Sequence, residues 1–268
     1  MSRGWAPDGE ILKLDDADDV TAAVERIYGD TLEARGLIQA VEAWHGDRGR
    51  YVALAAGRQA PRSHHGCWAS NLVRARADAI LTTGSVLRRV PTLDHRLKGP
   101  GRHPQALAAW RWERLRKRAP PVTLVLTSDA GLDLDHPVFR HWTRPVVYTS
   151  RRAEWQLESR AVDRGVEVVG VEAPTVEGAV EFLRLAFGTA TIAVEADPAI
   201  AVELYGTPPA VDEVMLSVYH GPRAPADAVA APFLTAERLA RAFPLVSKPY
   251  RVATEDGEWS LHRFRKMS

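Results

Sequence analysis

Val73-Arg74-Ala75-Arg76-Ala77-Asp78-Ala79-Ile80-Leu81-Thr82-Thr83-Gly84-Ser85-Val86 is the stretch on which the fold turns. Its first residues close a helical pattern running from Trp68 to Ala77. Ala79-Ile80-Leu81 is a short apolar run of the kind that forms a buried strand, and Thr82-Thr83-Gly84-Ser85 ends it with small hydroxyl-bearing residues around a glycine. Upstream, the turn His45-Gly46-Asp47-Arg48-Gly49-Arg50 feeds Tyr51-Val52-Ala53-Leu54-Ala55-Ala56, which reads as the first core strand. The polar residues 57–66 then lead to the helix. Strand, helix and strand in this order make the unit from which parallel α/β sheets are built.

Downstream the pattern repeats. Val122-Thr123-Leu124-Val125-Leu126, Pro145-Val146-Val147-Tyr148, Val166-Glu167-Val168-Val169 and Ala190-Thr191-Ile192-Ala193-Val194 read as short strands, with helices over 153–164 and 175–187 between them. The second helix carries Val176, Ala179, Val180, Leu183 and Phe187 on one side. A short helix ends at Tyr205, and Glu213 to Tyr219 reads as a strand. Lys248–Thr254 and Trp259–Arg265 flank Glu255-Asp256-Gly257-Glu258, where Asp-Gly tolerates the positive φ of a hairpin turn, so an antiparallel edge closes the sheet. Before Tyr51, the acidic cluster 15–19 precedes Val20, Ala23, Val24, Ile27 and Tyr28 at helical spacing, a helix with acids at its positive end. A calcium loop would need interleaved glycine and a distal glutamate that this cluster lacks. Leu37 to Trp44 fits helix or strand. The expected partition is an N-terminal helical extension over 1–50 and one domain over 51–268.

The 268 residues suffice for a packed core without disulfide or metal staples. Lys and Arg number 35 against 34 Asp and Glu, so no whole-molecule field attracts nucleic acid or acidic membranes. The single cysteine, Cys67, forms no internal disulfide and no CxxC pair, and the first residues lack the apolar core of a signal peptide. A cytoplasmic protein without a membrane span is expected.

No phosphate loop of the GxxxxGK[ST] type, GxGxxG, HExxH or GxSxG occurs. His64-His65 reads as a solvated loop pair, since adjacent side chains point apart and do not make the i, i+4 grip of a helical metal site. Asp133 and Asp135 could share one face as an acid and base pair, but they precede Pro137 and read better as turn formers. The segment 97–121 reads as a basic helical insert carrying Arg111, Arg114, Arg116, Lys117 and Arg118 around Trp110 and Trp112. Arginine with tryptophan suits phosphate contact and base stacking. Without companion basic patches it reads as a solvated face, and nucleic acid is not expected as a partner.

Taken in order, the segments resemble the riboflavin-biosynthesis pyrimidine reductases. Val73–Val86 resembles their LRAxADAILVGAGTVR, and Pro120–Ser128 with Leu132-Asp133 and Pro137-Val138-Phe139 resembles PPxAVVTxSxxLDxxxPLF. Arg144–Ser150 resembles RPLVLTT. Val194-Glu195-Ala196-Asp197-Pro198-Ala199-Ile200 stands where the family has VEGGPTL, and Val211–Val214 stands for LVDEL. The resemblance covers roughly Tyr51 to Lys266. It implies a dihydrofolate-reductase-like α/β fold, a mixed, mostly parallel sheet flanked by helices, and commonly a homodimer. It also implies NADPH-dependent hydride transfer to a ribosylamino-pyrimidine or similar heterocycle. On that basis Glu195 is the candidate catalytic residue. Thr82, Thr83, Gly84, Ser85, Thr127, Ser128, Thr149, Ser150, Arg151, Ala196, Asp197 and Pro198 are the candidate cofactor-binding residues, and no metal is expected. Glycine permits close backbone approach, the hydroxyls and arginine suit phosphate, and strand carboxyl ends are where ligands collect. Each hydroxyl can equally be a strand-end or helix cap.

The departures are as specific as the matches. SLDG after the first strand is replaced by Ala55-Ala56-Gly57-Arg58-Gln59-Ala60, and RxDDP by Arg88-Arg89-Val90-Pro91, so family carboxylates are missing from both. Ala196-Asp197 replaces Gly-Gly and adds a negative charge where the pyrophosphate is expected, which opposes its binding. The alternative to an active reductase is therefore a homologue that kept the fold and redirected or lost its chemistry.

Overall fold

A computed structural model describes residues 6–7, 13–29, 32, 35–46, 49–54, 61, 63–140, 143–196, 201–206, 208–221, 229–254 and 257–267. In chain order its first elements are β1 (Ala6–Pro7), α1 (Ala17–Tyr28), β2 (Gly36–His45), β3 (Arg50–Leu54), α2 (His64–Arg76), β4 (Ala79–Thr83), α3 (Gly84–Arg89) and α4 (His103–Glu113). Next come β5 (Val122–Leu126), β6 (Arg144–Ser150), α5 (Arg151–Val162), β7 (Glu167–Val171), α6 (Val176–Phe187) and β8 (Thr191–Glu195). The last are β9 (Glu213–Tyr219), β10 (Val229–Thr235), α7 (Ala236–Ala242), β11 (Leu245–Val246), β12 (Tyr250–Thr254) and β13 (Gly257–Arg265). The chain is α/β with mixed, mostly parallel strands flanked by helices and an antiparallel C-terminal hairpin. It divides into two compact units, one of Met1–Arg76, Leu97–Arg116 and Pro198–Ser268, the other of Ala77–Arg96 and Lys117–Asp197.

The second of these units is a five-stranded sheet in the order β8-β4-β5-β6-β7, with every neighbouring pair parallel. Three of its strands are largely apolar because both faces are covered: all of β4 is buried, as are the first four residues of β5 and β8. From β6 the chain crosses through α5 to β7 on the outside. It then returns through α6, past three strands, to β8. The right-handedness of such crossovers puts α5 and α6 on opposite faces. Leu157 and Ala161 of α5 bury themselves against Val125, Val147 and Phe139. Asp78 fixes the start of three strands at once. Its backbone bonds Thr191 and Val122, its Oδ2 accepts from the backbone N–H groups of Ala190 and Thr191 at 3.0 and 2.9 Å, and its Oδ1 pairs with Lys117.

The other unit runs β1-β12-β13-β9-β2, with β3 beside β2 and β10 beside β3. Fully buried β9 is parallel to β2 and antiparallel to β13. The acidic cluster does begin a helix: Asp16 Oδ1 accepts from the N–H groups of Asp18 and Asp19 at 2.9 and 3.0 Å, and Gly29 at φ 80° closes α1. Its apolar side, from Val20 to Tyr28, is buried. Beneath it lies a wholly buried ionic cluster. Arg76 makes a two-pronged pair with Glu213, and Arg263 Nη2 joins Glu213 Oε2 at 2.9 Å. Burial alone would push the Glu213 carboxyl up, but the charges and hydrogen bonds of the two arginines hold it down at about 2.

Several expectations need correction. The strand of this region that lies in the core is β2, not the run beginning at Tyr51. β3 is mostly half-buried and spends its hydrogen bonds on a hairpin with β2 and an irregular pairing with β10. The expected partition at residue 50 falls inside that hairpin, where His45 faces Tyr51. His64-His65 is not loop but the first turn of α2. Ser63 Oγ accepts from the His65 N–H at 3.1 Å, and His65 is buried 6.0 Å from the Tyr250 ring. In the basic segment only 103–113 is helical, and its arginines do not share a solvated face. Arg111 is buried and donates to the Ala75 carbonyl at 2.8 Å, Trp110 is core, and Arg114 pairs with Asp18. Asp133 and Asp135 form a turn, Asp133 Oδ1 accepting the Asp135 N–H, while a hydrogen bond from Arg164 holds the Asp135 carboxyl below its ordinary value. Among the described residues no helix is long and apolar enough to cross a membrane, and no three His, Cys, Asp or Glu gather as a metal site.

Candidate functional site

Because β8, β4, β5, β6 and β7 are all parallel, their carboxyl ends form one edge, and the residues singled out in the sequence come together there. Thr82 and Thr83 end β4, Thr127 and Ser128 follow β5, Thr149 and Ser150 end β6, and Glu195 ends β8 with Ala196 directly after it. Asp197 and Pro198 lie outside the described residues, as does 55–60.

The local geometry assigns several of these side chains a structural task. Thr82 Oγ1 donates to the Glu195 carbonyl at 2.9 Å, tying β4 to β8. Thr83 caps α3, accepting the Val86 N–H at 3.3 Å, and shares a 2.8 Å hydrogen bond with Ser85 Oγ. A Cβ on Gly84 would stand 2.8 Å from Thr127 Oγ1, so the close approach that requires glycine here is that of Thr127. That hydroxyl in turn accepts the Asp129 N–H at 3.0 Å. Ser150 caps α5, accepting from the Ala153 N–H at 3.3 Å, and leaves exposed Arg151 and Arg152 on the helix's first turn. Thr149 is wholly buried, and its hydroxyl has no hydrogen-bond partner among the described residues. Ser128 is exposed, while Ser85 and Ala196 are half-buried. Hydroxyls, the free N–H groups of a helix start and two arginines are the groups that hold an anionic ligand.

Glu195 has a neighbour that sequence reasoning missed. His95, wholly buried, crosses from the start of β5 to the end of β8. Its Nδ1 lies 3.0 Å from Thr123 Oγ1, and its Nε2 lies 3.6 Å from Glu195 Oε2. The latter distance is too long for a direct hydrogen bond, and the two groups form an ion pair only when the imidazole is protonated. The Glu195 side chain keeps 20% of its surface exposed. A partly open carboxylate beside a buried imidazole can accept a hydrogen bond from a ligand or exchange a proton with it. Nothing in the order of residues marks His95, whose partners lie 28 and 100 positions away.

In the other unit, Ser260 Oγ lies between His220 Nε2 at 2.7 Å and His262 Nε2 at 2.8 Å. Burial lowers both imidazoles, His262 to about 4. Ser260 is itself buried, so this cluster holds β13 and offers no nucleophile. Burial, with the Glu42 charge, pushes the Cys67 thiol up, away from a reactive thiolate.

The edge and fold together define an α/β protein with the architecture of the riboflavin-biosynthesis pyrimidine reductases. Among solved structures the chain is similar to a pyrimidine reductase-like protein from Corynebacterium diphtheriae, with TM-score 0.62, 16% identity and coverage of 91% of this chain and 98% of that one. It is similar to Acinetobacter baumannii RibD, at TM-score 0.56 and 15% identity over 88% of this chain and 59% of that one. A third is the riboflavin biosynthesis reductase Rib7 of Saccharomyces cerevisiae, at TM-score 0.51 and 9% identity over 92% and 99%. The chain thus spans about three-fifths of the RibD chain. No family model and no curated protein sequence matches.

Proposed function

We propose that the carboxyl edge of the β8-β4-β5-β6-β7 sheet binds NADPH and that the protein is a reductase of a ribosylamino-pyrimidine or a similar heterocycle. One observation carries this reading: four parallel strands end in Thr83-Gly84-Ser85, Thr127-Ser128, Thr149-Ser150-Arg151 and Glu195 along a single edge. The residues fit the phosphates of a dinucleotide. The first-turn N–H groups of α5 with Arg151 and Arg152 would neutralise them, and the hydroxyls would orient them. NADPH would supply the hydride, and Glu195, set by His95, would hold or pass a proton at its carboxylate. A homodimer belongs to the same reading.

Ala196-Asp197 favours a second reading, a homologue whose edge takes a different ligand, because a carboxylate beside the expected pyrophosphate opposes it. Titrating the protein with NADPH while following cofactor fluorescence separates the two. The reductase reading expects saturable binding that weakens in the Arg151→Ala/Arg152→Ala double variant, together with oxidation of NADPH in the presence of a ribosylamino-pyrimidine phosphate. No binding at millimolar NADPH rejects it, and tight binding restored by Asp197→Gly supports the charge argument.

A further inference from the structure

We infer that Glu42, on the half-open face of β2, anchors a binding site for a planar amidinium-type cation. Between Ala40 and Trp44 the strand alternates: Val41 and Ala43 are buried, while Ala40, Glu42 and Trp44 are half-buried. Residues two apart on a strand share a face, so the carboxylate and the indole stand on the same side, with roughly 6.6 Å between their positions along the strand. Half-buried Val52 of β3, paired with Trp44, continues this face. Gly66, in the first turn of α2, lies against Glu42, and a Cβ there would run into Glu42 Oε1. All of these residues belong to one unit, so the inference stands apart from the proposed reductase edge.

What surrounds this carboxylate sets it apart from the other acid inside the same sheet. Glu213 is closed off by two guanidinium groups. Among the described residues Glu42 accepts no hydrogen bond and pairs with no cation, and neither of its oxygens is sealed from solvent. The groups that face it are few. From β9 comes buried Ser217, its partner in register, and from α2 comes Cys67, whose thiol feels the Glu42 charge; Arg74 and Lys98 act on that thiol. With no opposing charge, burial pushes the Glu42 carboxyl up to about 7. An acid in this position burdens the fold once it ionises, and a cation that bonds its open oxygens relieves the burden. Two carboxylate oxygens accept the two parallel N–H bonds of a planar fork, and Trp44 with Val52 offers flat apolar surface to a ring attached to it. A compact ammonium ion would use the oxygens and leave that surface idle.

Isothermal titration calorimetry of the full chain tests the site, with benzamidine as the probe, acetamidine as its counterpart without a ring and benzamide as its counterpart without a charge. Saturable one-site binding of benzamidine above about pH 8 is expected, tighter than that of either counterpart. Glu42→Gln should weaken it by roughly tenfold or more, the loss of hydrogen bonds to a charged group, and should not lower the melting temperature without ligand, because the carboxyl it replaces bonds nothing. Proton release supplies a readout that a merely structural role would not move. Below about pH 7 the free carboxyl is protonated and the cation binds its ionised form, so at about pH 6 binding should release close to one proton, and affinity should fall about tenfold per pH unit. Titrations in buffers of different ionisation enthalpy measure that proton, and Glu42→Gln should abolish its release. No saturable binding at millimolar benzamidine, unchanged affinity in Glu42→Gln, or binding at about pH 6 without proton release overturns the assignment. So does benzamide or acetamidine binding as tightly as benzamidine.

Discussion

Replacing Glu213 by Gln tests the buried cluster that joins α2, β9 and β13. The substitution keeps shape but removes the charge that two guanidinium groups share, and all three side chains are at most 2% exposed. Removing one partner of such a buried pair costs about 3–5 kcal/mol, because the remaining charge stays desolvated. The carboxyl's own displacement gives a similar figure. From an ordinary 4.5 to about 2 is roughly 2.5 pH units, at about 1.4 kcal/mol each about 3–4 kcal/mol. At roughly 2–4 °C per kcal/mol for a chain of this size, the melting temperature should fall by about 10 °C. The pH dependence is specific. A carboxyl whose folded value is depressed stabilises fully above its unfolded value and loses that contribution as pH falls through the folded value. Urea unfolding followed by circular dichroism should therefore show a gap between wild type and Glu213→Gln of about 3 kcal/mol at pH 7 that narrows between about pH 4.5 and 2. A loss below about 1 kcal/mol at pH 7, or a gap that stays constant as the solution is acidified, would refute the reasoning.

Two further outcomes follow from the geometry. Gly84→Ala drives a Cβ to 2.8 Å from Thr127 Oγ1 and disturbs the hydroxyl that holds the Asp129 N–H. It should cost about 1–3 kcal/mol, and clearly less in a Thr127→Ala background; strictly additive costs in that double-mutant cycle would show that the contact does not matter. Burial pushes the Glu42 carboxyl up to about 7, so its burden on the folded state appears as pH rises from about 4.5 to 7. Glu42→Gln should be as stable as wild type at pH 4.5 and more stable by about 1–2 kcal/mol above pH 7, after discounting for the solvent that reaches this half-buried side chain. Parallel pH profiles would contradict it.

How much of this was legible depends on whether the deciding partner was near in sequence. Helices α1 and α6 could be placed because caps and apolar spacing agree locally: Asp16 and Thr175 begin them, and Gly29 and Gly188 in the left-handed region end them. Strands β4, β5 and β8 are legible as short, largely apolar runs, the pattern of a doubly covered sheet. Leu37–Trp44 fitted two periods, because five of its residues are buried in a pattern, 37–39, 41 and 43, that obeys neither strictly. The start of α2 did carry a local signal, Ser63 bonding the N–H groups of His65 and Gly66, but the polar run before it masked the cap. At the candidate edge the hydroxyls were legible, since strand ends and caps are local features; His95 was not. The arginines show the same divide most sharply. By composition Arg76 and Arg263 count like any other, and the sequence around Arg111 reads as a solvated basic face. What makes Arg76 structural is a carboxylate 137 residues further on, and what makes Arg111 structural is a carbonyl 36 residues back. A near-zero net charge is therefore compatible with a strongly charged interior, because the fold gathers Arg76, Arg263 and Glu213 at one buried point that no sum over the sequence contains.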